Sequence, residues 1–109
     1  MLEKLRALEQ KFEDLVREMS NPEVLSDPHT YNKLAKAHSD LGEIVGKYRE
    51  YRKVLADLDD AEVMSDEPQD ADFAAMLSDE ITRLTHEKER LHDELQLLLL
   101  PKDPNDEKN

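Results

Sequence analysis

Residues 34–58 read LAKAHSDLGEIVGKYREYRKVLADL, and the spacing of their apolar side chains decides the fold. Leu34, Ala37, Leu41, Ile44, Tyr48, Tyr51, Leu55 and Leu58 recur at intervals of three and four. That period places them on one stripe of an α-helix, whereas a strand would alternate every second residue. The same rhythm holds upstream in Leu5, Leu8, Phe12, Leu15 and Met19. It holds downstream in Ala74, Leu77, Ile81, Leu84, Leu91, Leu95 and Leu98, with Lys88 interrupting. A lysine stem can cover an apolar seam while its ammonium stays in water. The chain has 39% charged and 38% hydrophobic residues, proportions that disorder would also give. Three sustained stripes argue for a folded all-α domain instead.

Breaks between the stripes have local causes. Ser20-Asn21-Pro22 ends the first helix, because proline offers no N–H and disfavours the α region at the residue before it. Asp27-Pro28 starts the second with a good N-cap and a proline suited to the first helical position. The stretch around Pro68 stops that helix, Asp70 can cap the third, and Pro101 ends it. The spacing therefore predicts helices over about 2–19, 28–64 and 70–99. Residues 1–100 form one helical domain in this reading, and 101–109 form a linker to a domain not present in the chain. At about 1.5 Å per residue the second helix runs ~55 Å and the third ~45 Å. A short loop makes such neighbours antiparallel. The expected architecture is a three-helix bundle dominated by a long antiparallel hairpin, its far half a protruding arm.

Composition excludes several functions. There is no Cys, so disulfide scaffolds, Cys-based zinc sites and thiol chemistry are out. The formal charge of -12 excludes a basic nucleic-acid module at the level of the whole chain. Leu97–Leu100 is the longest apolar run, too short for a membrane span, and Met1-Leu2-Glu3-Lys4 shows no secretory h-region. A soluble, cytoplasmic chain is expected. The segment His86-Glu87-Lys88-Glu89-Arg90 starts like a zinc-protease helix, but Arg90 stands where the second histidine ligand belongs. His29, His38, His86 and His92 read as scattered, solvated side chains. No catalytic, metal or cofactor site is expected.

Charge placement says more than charge total. From Asp57 to Asp72 lie eight carboxylates and no Lys or Arg, at the turn of the expected hairpin. Lys47, Arg49, Arg52 and Lys53 form the opposite kind of segment, interleaved with Tyr48 and Tyr51. Basic residues among aromatics can hold RNA by phosphate contact and stacking. The two tyrosines fall on the seam, however, and suit the core better. Lys47, Arg49, Arg52 and Lys53 are the candidate contact residues; a solvated face with i,i+4 pairs is the plain alternative. Gly42 and Gly46 sit mid-helix, where a close helix approach or a merely tolerated turn would each account for them. Leu97–Leu100 covers every side of a helix, so either the bundle closes there or a neighbouring domain packs against it.

Several segments carry a family likeness. Leu97-Leu-Leu-Leu-Pro-Lys-Asp-Pro104, Met1-Leu-Glu-Lys-Leu5, Asn21-Pro-Glu-Val-Leu-Ser-Asp-Pro28 and Tyr48-Arg-Glu-Tyr-Arg-Lys53 together resemble the N-terminal helical domain of bacterial class I peptide chain release factors. The first of these segments favours the type 1 branch. The resemblance implies a part in translation termination. A complete factor of this family reads UAA and UAG in the ribosomal A site and promotes peptidyl-tRNA hydrolysis through a Gly-Gly-Gln loop. This sequence contains no Gly-Gly-Gln, so the fragment is not expected to act as an enzyme. The likeness implies placement near the ribosomal stalk base, with ribosomal protein L11 and its rRNA, the class II release factor GTPase and the factor's remaining domains as partners. From the residues alone, a free-standing coiled-coil adaptor or scaffold is the other reading. A metal-bound hydrolase using the acidic cluster and His86 is a distant third.

Overall fold

The computed structural model describes residues 1–101, which form four helices: α1 (Leu2–Met19), α2 (Pro22–Leu25), α3 (Pro28–Ser65) and α4 (Ala71–Leu98). Among the described residues there is no strand, and the class is all-α. The three expected helices form with ends within one residue of the sequence reading. The count of three needs correcting, because α2 adds a single turn between α1 and α3. Its cause is local: the Asn21 Oδ1 accepts from the Glu23 backbone N–H at 2.9 Å, and Pro22 opens the turn. Asn21-Pro22 thus repeats the cap-then-proline order of Asp27-Pro28. The expected linker from Lys102 to Asn109 lies outside the described residues.

The chain divides into two compact units, with the border inside α3 after Tyr48. In the first unit, α1 returns against the beginning of α3. The Phe12 ring stacks on His38 with centroids 4.3 Å apart and planes 22° from parallel. Leu5 and Leu15 are buried on the same side of α1, each worth about 1.5–3 kcal/mol when removed from water. Glu9 is buried with them, a carboxylate on an otherwise apolar stripe. At the head of α3, Asp27 Oδ2 accepts from the Thr30 hydroxyl at 2.7 Å, and its Oδ1 accepts from the Thr30 backbone N–H. The Thr30 hydrogen bonds hold the Asp27 carboxyl below its ordinary pKa. Gly42 and Gly46 face open space: a Cβ at either would meet nothing within 4 Å. No close helix approach explains them.

The second unit is an antiparallel hairpin of α3, from Arg49 onward, and α4. Tyr51 near its start lies beside His92, with ring centroids 6.3 Å apart. Towards the turn, Leu58 and Ala61 pack with Leu84, and the half-buried Val54 and Ile81 pack against them. Leu91 and Leu95 are the most completely buried side chains of α4. The turn is made of ordinary parts. Backbone N–H groups of Asp66 and Glu67 donate to the Val63 and Met64 carbonyls, and the Gln69 amide donates to the Ser65 carbonyl at 3.2 Å. Asp70 then caps α4, accepting from the Phe73 N–H at 2.8 Å. At the other end of α4, Leu98 and Leu99 are half-buried, while Leu97 and Leu100 are exposed. Among the described residues no helix is long and apolar enough to cross a membrane.

Candidate functional site

Lys47, Arg49, Arg52 and Lys53 all lie on α3, but helix geometry separates them. Successive residues turn by about 100°, so spacings of three and four share a face and a spacing of two does not. Arg49, Arg52 and Lys53 follow the first pattern and are exposed together on the second unit. Lys47 is turned about 160° away from Arg49 and is half-buried in the first unit. Four residues close in sequence therefore make a basic face of three.

The tyrosines between them are core residues. Tyr48 is 3% and Tyr51 6% exposed, so neither offers a ring to a nucleic-acid base. Phosphate contact would have to come from the cations alone. Lys53 already has a neighbour of opposite charge, with its Nζ 3.2 Å from Asp57 Oδ2. Lys47, Arg49 and Arg52 also have interaction partners. An exposed ion pair such as Lys53–Asp57 is weak.

Across a groove from Lys53, α4 carries cations that the sequence pattern did not single out. Arg83 donates through Nε to Glu80 at 2.6 Å, and Arg90 bridges Glu87 and, at 2.8 Å, Glu94. The hydrogen bond to Glu80 is the main reason the Arg83 guanidinium is held more firmly protonated than usual. The charges of Glu80, Glu87 and Asp57 add to that. For Arg90 the main cause is the hydrogen bond to Glu87. The signal for both was their place beside the α4 seam, at a spacing of seven.

The histidines are less scattered than expected. His29 and His86 are exposed, but His38 and His92 are half-buried against aromatic rings. Among the described residues no group of three His, Asp or Glu side chains is arranged to hold a metal ion.

The all-helical architecture, the capped α3 and α4 and the Leu97–Pro101 segment fit one family, and residues 8–109 match the model of the PCRF domain. The chain belongs to the PCRF domain family. The proteins it is similar to are forms of peptide chain release factor 1. It is 51% identical over 109 residues to that of Syntrophomonas wolfei and 47% identical to that of Carboxydothermus hydrogenoformans. The factor from Bacillus licheniformis is 44% identical. Each comparison covers the whole of this chain but only 30–31% of the relative, so the chain spans about a third of the length of the curated relatives it matches. No solved structure matches the chain.

Proposed function

We propose that this chain is the N-terminal helical domain of a peptide chain release factor of type 1, and that it helps place the complete factor on the terminating ribosome. Identity of 51% running through all 109 residues is the observation that carries the reading. In this reading the domain is not itself an enzyme. Codon reading and peptidyl-tRNA hydrolysis at UAA and UAG belong to parts of the factor beyond these residues, and the setting is the bacterial cytoplasm. The domain sits towards the stalk base, near ribosomal protein L11 and its rRNA. The class II release factor GTPase is a further partner.

Arg49, Arg52 and Lys53 are the proposed contact to rRNA phosphate. Their exposure on one face supports it, against a surrounding unit that is otherwise strongly acidic. Reversing all three to Glu in the complete factor is expected to weaken ribosome binding. Each lost phosphate contact should also lower the slope of log affinity against log salt by about 1. Unchanged affinity with an unchanged slope would remove these residues from the interface. Reading the gene beyond the Asn109 codon tests the assignment itself: a continuation encoding Gly-Gly-Gln is expected, and a stop codon there would favour the adaptor reading.

A further inference from the structure

The second unit carries a groove that shares only Lys53 with the basic face. The groove, of about 400 Å³, runs between α3 and α4, walled by Glu50, Lys53 and Asp57 on one side and Arg83, Glu87 and Arg90 on the other. A second hollow of about 230 Å³ continues it towards the turn, with Asp60, Met64 and Glu80 on its walls. The two share Asp57, Arg83 and Leu84, so they lie end to end along the hairpin and together make the channel considered below. Its floor is apolar, from Leu91 and Val54 through Leu84 to Ala61 and Leu77.

The walls follow from heptad spacing. Residues 50, 53, 57, 60 and 64 are one flank of α3, and 76, 80, 83, 87 and 90 are the matching flank of α4. That spacing puts Met76 on the same flank as Glu80 and Arg83. Both methionines are exposed, Met64 at 42% and Met76 at 58%. Met64 lines the groove and Met76 extends its α4 flank, and unbranched thioethers of this kind can repack around varied apolar side chains. From Glu50 to Met64 the channel is about 21 Å long, the length of a helix of about 14 residues. A valley between two antiparallel helices accepts the ridge of a third.

Charge gives the occupant a direction. Away from the turn the walls alternate, with Glu50 and Glu87 against Lys53 and Arg90. Towards the turn Asp57, Asp60 and Glu80 face Arg83 alone, and the sequence from Asp57 to Asp72 adds no Lys or Arg. A second copy of this chain would bring the same negative field with it and be repelled. We propose that this channel seats an amphipathic helix of a basic partner protein, with its apolar edge against Val54, Met64 and Met76, above the buried Ala61 and Leu84, and its basic end at the acidic turn. The inference shares Lys53 with the proposed rRNA contact but does not depend on that contact.

Two synthetic helical peptides of about 14 residues test it against the full 109-residue chain, isotope-labelled for NMR. Both carry leucines at intervals of three and four; one ends in lysines, the other in glutamates. The lysine-ended peptide is expected to give saturable shifts at the Ala61, Met64, Met76 and Leu84 amides, with affinity at least about tenfold above its counterpart. Asp60→Lys with Glu80→Lys, checked for unchanged helicity, should reverse the preference. Equal affinities, shifts outside the channel or no saturation would overturn the proposal. So would concentration-dependent shifts in the channel with a doubled mass by sedimentation, because the occupant would then be a second copy. No ribosome is present in this assay, so its failure leaves the ribosomal reading to its own test.

Discussion

The two units share a helix and a seam spacing, yet they carry very different amounts of charge. Residues 1–48 carry nine Asp and Glu against seven Lys and Arg, a net charge of -2; residues 49–109 carry eighteen against eight, a net of -10. The first unit is close to electrically neutral and lets one carboxylate, Glu9, lie buried on its apolar stripe. The second spreads its excess over an exposed turn, and its most deeply buried side chains are Leu84, Leu91 and Leu95. The lesson is that a strongly charged domain need not be a weakly packed one. Charge is tolerated where water screens it, and heptad leucines do the holding.

Truncating a buried leucine in each unit gives the largest expected effect. Leu95→Ala and Leu5→Ala remove side chains that are 0% and 1% exposed, and each should cost about 2–5 kcal/mol in urea unfolding. If Leu5→Ala costs under about 1 kcal/mol, the first unit is held by something other than its seam. The glycines sharpen the contrast from the other direction. Gly42→Ala and Gly46→Ala meet open space, so each should stabilise the chain by up to about 1 kcal/mol, read as a higher Tm.

Helix caps come next, one in each unit. Asp70→Ala should cost about 1 kcal/mol at the start of α4, seen as faster amide exchange over its first turn. Asp27 makes its contribution depend on pH. Its carboxyl is held below the ordinary value of 3.8 when folded, so the stability it adds is fully present above that value. It is lost as pH falls through the folded pKa. Asp27→Asn should therefore flatten the acid limb of the stability curve below about pH 4 and leave the region above pH 6 parallel to the parent. A parallel curve throughout would show that the Thr30 hydrogen bonds do not perturb the carboxyl.

Surface pairs give the smallest effect. Lys36–Asp40 and Lys53–Asp57 are i,i+4 pairs at 3.4 and 3.2 Å with similarly exposed side chains. Either lysine replaced by Gln should cost no more than about 0.5 kcal/mol. Lys53→Gln should cost more than Lys36→Gln at low salt, because it removes a cation from the more acidic unit. The difference should vanish near 1 M salt, where the Debye length is about 3 Å.

Much of this was legible from spacing and from caps. The seams of all three long helices, the Asp27 and Asp70 caps and the core role of Tyr48 and Tyr51 follow from residue type and period alone. Asn21-Pro22 carried the same signal as Asp27-Pro28, but a single turn has no seam to announce it. Glu9 was hidden because a carboxylate on an apolar stripe reads as an interruption, not as core. The candidate site was read less well, since nearness in sequence grouped Lys47 with residues that helical rotation puts on another side. The channel was harder still. Its walls look like two ordinary solvated flanks until the register of α3 against α4 brings them opposite each other.

The carboxylate-rich turn also governs how molecules of this chain meet one another. Eight negative side chains between Asp57 and Asp72, with no cation among them, give each molecule a strongly charged end. At 0.1 M ionic strength that field reaches about 10 Å, enough to deflect a like-charged neighbour before the exposed Val63, Met64 and Met76 can touch it. In colloidal terms the turn is a charge stabiliser grafted beside an exposed apolar part of the surface. The second virial coefficient should be positive at low salt and fall towards zero as the field is screened.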